Sequence, residues 1–194
     1  MKREHYSKTV LLQGYIELMK PGILMMVLIT TLLGFYLGNE GITSWSSLIW
    51  TLLGTGLSAG GAGALNQYLE REQDTLMDRT CNRPIPAGLI QPQNALLFGI
   101  SAVLVGSVVL VWKVNLLTGF LSLLTVFMYV LIYTPMKKVT WLSTSLGSIP
   151  GALPPLGGWA AATGSLDPGA WILFAILYLW QHPHFFAIAW MCKD

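Results

Sequence analysis

The chain has 194 residues, of which 54% are apolar and only 10% are Asp, Glu, Lys or Arg, with a formal net charge of +2. That balance lies outside the range of soluble domains and describes a membrane protein. So small a surplus of positive charge, accounted for by topology as shown below, gives no footing for a nucleic-acid partner.

The first twenty residues carry Lys2, Arg3, Glu4, Lys8, Glu17 and Lys20, and the apolar run behind them lacks a small-residue cleavage site. It reads as a first anchor helix rather than a secretory signal. Uncharged runs then follow at Pro21–Asn39, Ser46–Leu69, Gln91–Trp112, Val114–Met136, Val139–Leu166 and Pro168–Cys192. Each is near or above the roughly 20 residues that a helix needs to cross a bilayer. The expected fold is all-α: one polytopic bundle over 1–194 with six spanning helices.

With six spans, one side of the membrane collects Lys2, Arg3, Lys8, Lys20, Arg71, Arg79, Arg83, Lys137, Lys138 and Lys193, and the other only Lys113. The basic residues place both ends of the chain, and the loops after the second and fourth spans, in the cytoplasm. Cys81 and Cys192 fall on that side, where thiols stay reduced, and neither reads as functional.

Pro92 and the pair Asp167-Pro168 are helix starts of the usual kind. Two spans are unusual inside. The second holds GTGLSAGGAGALN (Gly54 to Asn66), a glycine-rich middle that lets another helix or a lipid-like ligand approach its backbone. The fifth holds SIPGALPPLGG (Ser148 to Gly158), with three prolines and three glycines. Backbone freed in this way is tolerated in a membrane only where protein packs on it or where it lines a cavity, and both readings stand.

Charge is concentrated in NQYLEREQDTLMDRTCNRPIPAG (Asn66 to Gly88), at the cytoplasmic end of the second span. Asn66, Glu70 and Asp74 are spaced i, i+4, i+8, so on a helix they form one stripe, which Asp78 extends if the helix persists. Carboxylates four apart repel, the more so near the membrane, and a cation relieves them. Hard oxygen donors without a Cys/His cluster suit Mg²⁺, which commonly completes its shell with water and substrate phosphates. Arg71, Arg79 and Arg83 nearby, with Lys137 and Lys138 across the same face, would hold phosphate. The alternative is a solvated loop whose acids and bases neutralise one another.

The pattern N-x-x-x-E-R-x-x-D-x-x-M-x-R-T-x-x-R-P from Asn66 to Pro84 resembles the first aspartate-rich motif of the UbiA family of intramembrane prenyltransferases. YTPMKKVT (Tyr133 to Thr140), GSIPGALPPLGGWAAATG (Gly147 to Gly164) and WQHPHFFAIAWMCKD (Trp180 to Asp194) resemble its protohaem IX farnesyltransferase branch. The likeness runs from about Lys20 to the last residue. Gln67 and Glu70 stand where the family commonly has aspartate. Such a family has roughly nine spans and a second carboxylate motif, which Asp194 would open, so the chain reads as the N-terminal two-thirds of an enzyme and is expected to be inactive alone.

The resemblance implies Mg²⁺-dependent transfer of a farnesyl group from farnesyl diphosphate to haem b, making haem O for haem-copper oxidases. Asn66, Glu70 and Asp74 would be catalytic as metal ligands, and Lys20, Arg71, Arg79, Arg83, Lys137 and Lys138 would hold diphosphate. His182 and His184 would face haem, with His184 matching the pattern Q-x-P-H-F. Each histidine could equally hydrogen-bond a neighbouring helix or face the interface. The implied setting is a bacterial inner membrane, with haem A synthase or oxidase assembly proteins as possible partners. Competing readings are a UbiA-type transferase for a quinone precursor or chlorin, a transporter or assembly factor, and an inactive fragment.

Overall fold

The computed structural model describes residues 7–137, 139–140 and 142–191, and all regular structure among them is helical. The helices are α1 (Lys8–Leu18), α2 (Pro21–Gly38), α3 (Trp45–Asp74), α4 (Pro92–Lys113), α5 (Leu116–Phe127), a π-helical turn (Met128–Tyr133), α6 (Thr134–Met136), α7 (Ser143–Thr163) and α8 (Pro168–Met191). Their starts follow local chemistry. Pro21 and Pro92 sit in the first turns of α2 and α4, where a missing N–H costs nothing, and Asn115 Oδ1 accepts the Thr118 N–H at 2.8 Å to cap α5.

Five helices are long and apolar enough to cross a membrane: Pro21–Gly38, Trp45–Asp74, Pro92–Lys113, Leu116–Met136 and Pro168–Met191. The sixth expected span, α7, has the length, 21 residues. Its serines, threonines, glycines and prolines keep it out of the apolar class, and the fold places it innermost, packed on α2, α5 and α8. α1 was not among the expected spans. At 11 residues it is too short to cross, and it anchors through Leu18, which is buried in a cluster with Ala64, Ile85, Ile90 and Ala95.

Both glycine-rich segments are used for helix packing. A Cβ on Gly61 would stand 2.6 Å from Gly99 O, and one on Gly106 2.6 Å from Gly54 O, so α3 and α4 meet backbone to backbone. A Cβ on Gly158 would stand 2.0 Å from Thr31 O, and one on Gly34 2.0 Å from Pro155 O, so the same holds between α7 and α2. Close approach through small residues is what associates helices where hydrophobicity supplies no drive between them.

The elements alternate in direction and leave two unlike ends. At one, Asn115 Nδ2 donates to Ala160 O at 2.8 Å and Asn39 Nδ2 to Ala162 O at 3.0 Å, which ties α7 to α5 and α2. At the other lie Lys20, the C-terminal turns of α3, the 75–91 loop and Lys137.

Candidate active site

The stripe exists as expected. Asn66, Glu70 and Asp74 lie along one face at the C-terminal end of α3, with Asn66 and Asp74 buried. Each faces a cation from a different element. Lys20 Nζ donates to Asn66 Oδ1, Lys137 Nζ lies 2.8 Å from Glu70 Oε1, and Arg83 Nη1 bridges both Asp74 oxygens at 2.8 and 2.7 Å. The repulsion between Glu70 and Asp74 is thus relieved by side chains of the chain itself.

Each cation is held by its own local structure. Lys20 occupies the left-handed region, φ 55°, immediately before Pro21, a conformation that a non-glycine residue keeps only when its surroundings insist. They do: the Lys20 N–H donates to Glu17 O at 3.0 Å, and Gln67 Nε2 donates to Glu17 O and Leu18 O at 3.1 and 3.3 Å. Gln67, one of the departures from the usual family pattern, therefore pins the α1–α2 junction. Burial, and then the charge of Arg83, push the Lys20 ammonium down to about 8 from 10.5, with Lys137 acting the same way and Glu70 and Asp74 opposing.

Arg83 belongs to the 75–91 loop, which is nailed in place by buried Pro84, Ile85 and Ile90 and by Thr80 Oγ1 donating to Asp74 O at 3.1 Å. Lys137 follows α6, with its ammonium 5.0 Å from the centre of the Tyr133 ring.

The other expected residues are placed differently. Arg71 points to another face of α3, donating to Tyr68 O at 2.7 Å and pairing with Glu72 at 3.2 Å. Arg79 is exposed on the loop and forms no ion pair among the described residues. Lys138 lies outside the described residues. α3 ends at Asp74, so Asp78 does not extend the stripe and is exposed on the loop. Cys81 donates to Asp78 O at 3.3 Å, and Cys192 lies outside the described residues.

His182 is engaged at both ring nitrogens. Nδ1 lies 2.9 Å from Tyr178 O, which can only accept, so Nδ1 carries the proton and Nε2 accepts the Ser145 hydroxyl at 3.0 Å. His184 is exposed on α8 and stacks on Trp180 with ring centres 4.7 Å apart. Thr134 and Tyr129 were not singled out in the sequence. Asn66 Nδ2 donates to Thr134 Oγ1 at 3.0 Å, and Thr134 Oγ1 donates to Tyr129 O at 2.8 Å. The available signal was a threonine immediately before Pro135 at the end of an apolar run.

Among the described residues no three of His, Cys, Asp and Glu come together as a metal-ligand set. The donors of the stripe are two carboxylates and an amide oxygen, hard ligands of the number that Mg²⁺ takes from protein when phosphate and water complete its shell. The residues fit such an ion, provided that Lys20, Lys137 and Arg83 pass to the anion arriving with it.

The sequence matches the UbiA prenyltransferase family over residues 27–194. It is 45% identical to the "Protoheme IX farnesyltransferase" of Solibacter usitatus over 94% of this chain and 66% of that protein. Proteins of the same name from Aquifex aeolicus and Myxococcus xanthus are 42% and 46% identical, over 94% and 92% of this chain and 63% and 60% of theirs. The chain thus spans somewhat under two thirds of these relatives. A solved structure described as concerning digeranylgeranylglyceryl phosphate synthase in membranes superposes with a TM-score of 0.78 at 17% identity, covering 87% of this chain and 59% of the other. That likeness is one of fold. With a family match reaching from within α2 to the last residue, on a helical fold with membrane-length spans, the chain belongs to the UbiA prenyltransferase family.

Proposed function

We propose that this chain provides the diphosphate half of a protohaem IX farnesyltransferase. The observation that supports it is the convergence of Lys20, Arg83 and Lys137, from three separate elements, on the stripe of Asn66, Glu70 and Asp74. Held counter-ions of this kind are preorganised for a polyanion: when diphosphate enters, the three cations turn to its oxygens without having to be assembled.

In the reaction the bond between the farnesyl C1 and its oxygen breaks, and the electron pair leaves on diphosphate. A vinyl carbon of haem b attacks C1. The cation left on the adjacent carbon takes water, and a proton departs. A divalent ion held by Glu70, Asp74 and the Asn66 amide oxygen would neutralise the leaving diphosphate. Lys20, Arg83 and Lys137 meet the charge that develops as the bond opens. His184, exposed beside Trp180 and Phe185, is the residue we assign to the haem face, because both nitrogens of His182 are already bonded. The site faces the cytoplasm of an inner membrane in this reading.

The test joins this chain to the C-terminal third of the Solibacter usitatus relative and supplies haem b, farnesyl diphosphate and Mg²⁺, with chromatography of the extracted haems. Haem O should form. Asp74→Asn should lower turnover by at least roughly 100-fold, since it removes an anionic ligand of the ion and the carboxylate that holds Arg83 in place, while the Soret change on titrating haem b stays as in the parent. Normal turnover in Asp74→Asn, or no haem O from the parent fusion, would overturn the reading.

A further inference from the structure

Asn66 is fully buried, and its two amide ends face chemically opposite neighbours: Oδ1 accepts from the Lys20 ammonium, and Nδ2 donates to Thr134 Oγ1 at 3.0 Å. Thr134, also buried, donates its own hydroxyl to Tyr129 O at 2.8 Å. The direction of this chain is fixed at both ends. An ammonium can only donate and a carbonyl can only accept, so the Thr134 oxygen has accepting capacity alone left for Asn66.

Turned over, the amide would set NH₂ against NH₃⁺ at one end and oxygen against a committed hydroxyl at the other. The acceptor at the far end comes from the π-helical turn, in which Tyr129 O takes the Thr134 N–H as well as the hydroxyl. That wider turn lies just ahead of Pro135, which has no N–H to give.

From this geometry we infer that Thr134 is a positioning residue: its hydroxyl holds the Asn66 amide so that the oxygen, not the nitrogen, faces Lys20 and the incoming metal and diphosphate. The inference rests on the function proposed above and adds a residue to it. Without the hydroxyl the Asn66 NH₂ is left buried and unpaired, and the Lys20 contact alone holds the amide against turning over.

The test is binding rather than turnover. The full chain in detergent is titrated with farnesyl thiolodiphosphate, an unreactive analogue, at fixed Mg²⁺, with thermal unfolding recorded on every variant. Thr134→Val keeps the shape and removes the hydroxyl, and should weaken binding roughly tenfold, as expected when a buried hydrogen-bond partner is lost. Thr134→Ser should recover most of that loss. The decisive comparison is in the Asn66→Asp background, where a carboxylate offers oxygen on both sides and orientation no longer matters: there Thr134→Val should change affinity by less than about twofold.

An equal loss in both backgrounds, or from serine as much as from valine, would reduce Thr134 to packing and overturn the inference. So would parent affinity in Thr134→Val. Should valine fail to fold, Thr134→Ala runs the same comparison. Binding by the parent with no effect at Thr134 defeats this inference alone, whereas no binding by the parent defeats it together with the proposed function.

Discussion

At the scale of single residues, Lys20 is the group whose environment makes the sharpest statement. An amine lowered from 10.5 to about 8 binds its proton less well in the folded chain than in the unfolded one. The cost of burying its charge is therefore full below about pH 8 and is relieved as pH rises from there toward 10.5. Thermal unfolding in detergent should show stability rising across that window, and Lys20→Met should flatten the rise. Affinity for farnesyl thiolodiphosphate should run the other way, weakening above pH 8 as the ammonium is lost, and Lys20→Arg should remove the slope because guanidinium stays charged. The spacing of Asn66, Glu70 and Asp74 made the stripe legible. The partners of these residues were not, because Lys20, Arg83 and Lys137 reach them across gaps of 46, 9 and 67 positions.

At the scale of elements, α7 and α2 cross so closely that glycine is required at Gly34 and Gly158. Gly34→Ala and Gly158→Ala each drive a methyl into opposing backbone, and each should destabilise the folded chain by about 1–3 kcal/mol, read as a lowered midpoint of unfolding in mixed detergent. Gly157→Ala, with nothing within 4 Å of its added carbon, should leave that midpoint unchanged. The glycine and proline content of this segment announced a special helix but left two uses open. Its packing on α2 answers for Gly158 and Pro155, a matter of which helix lies opposite. α8 is bound to α7 by buried Ala170 and the Phe174 ring, which pack against Leu153, Leu156 and Ala160, and by polar groups, Gln181 Nε2 donating to Ser148 O at 3.2 Å and His182 meeting Ser145, while most of its other residues are exposed.

At the scale of the whole molecule, the alternation of long helices gathers the stripe and its cations at one end and Asn39, Asn115 and Lys113 at the other. If the basic residues set orientation, single cysteines at Gly41 and Gly164, introduced into a chain lacking Cys81 and Cys192, should react with an impermeant maleimide from the periplasmic side. One at Pro86 should react only after the membrane is opened. Labelling of Gly41 from the cytoplasm would invert the arrangement.

The sequence by itself determined the class of this fold, because membrane-length apolar runs act through composition and need no tertiary partner. It also determined the stripe, since helical periodicity places residues four apart on one face. It did not determine where the helix stops, and so Asp78 fell off the stripe. Nor could it tell which arginine turns inward: Arg71 stacks on Tyr68 while Arg83 is delivered to Asp74 by a loop whose course depends on buried Pro84, Ile85 and Ile90. The innermost place of α7, the left-handed backbone at Lys20 and the hydrogen-bond chain through Thr134 were likewise decided by tertiary structure. Each depends on which surfaces meet, and a side chain's role is set by the groups that stand opposite it.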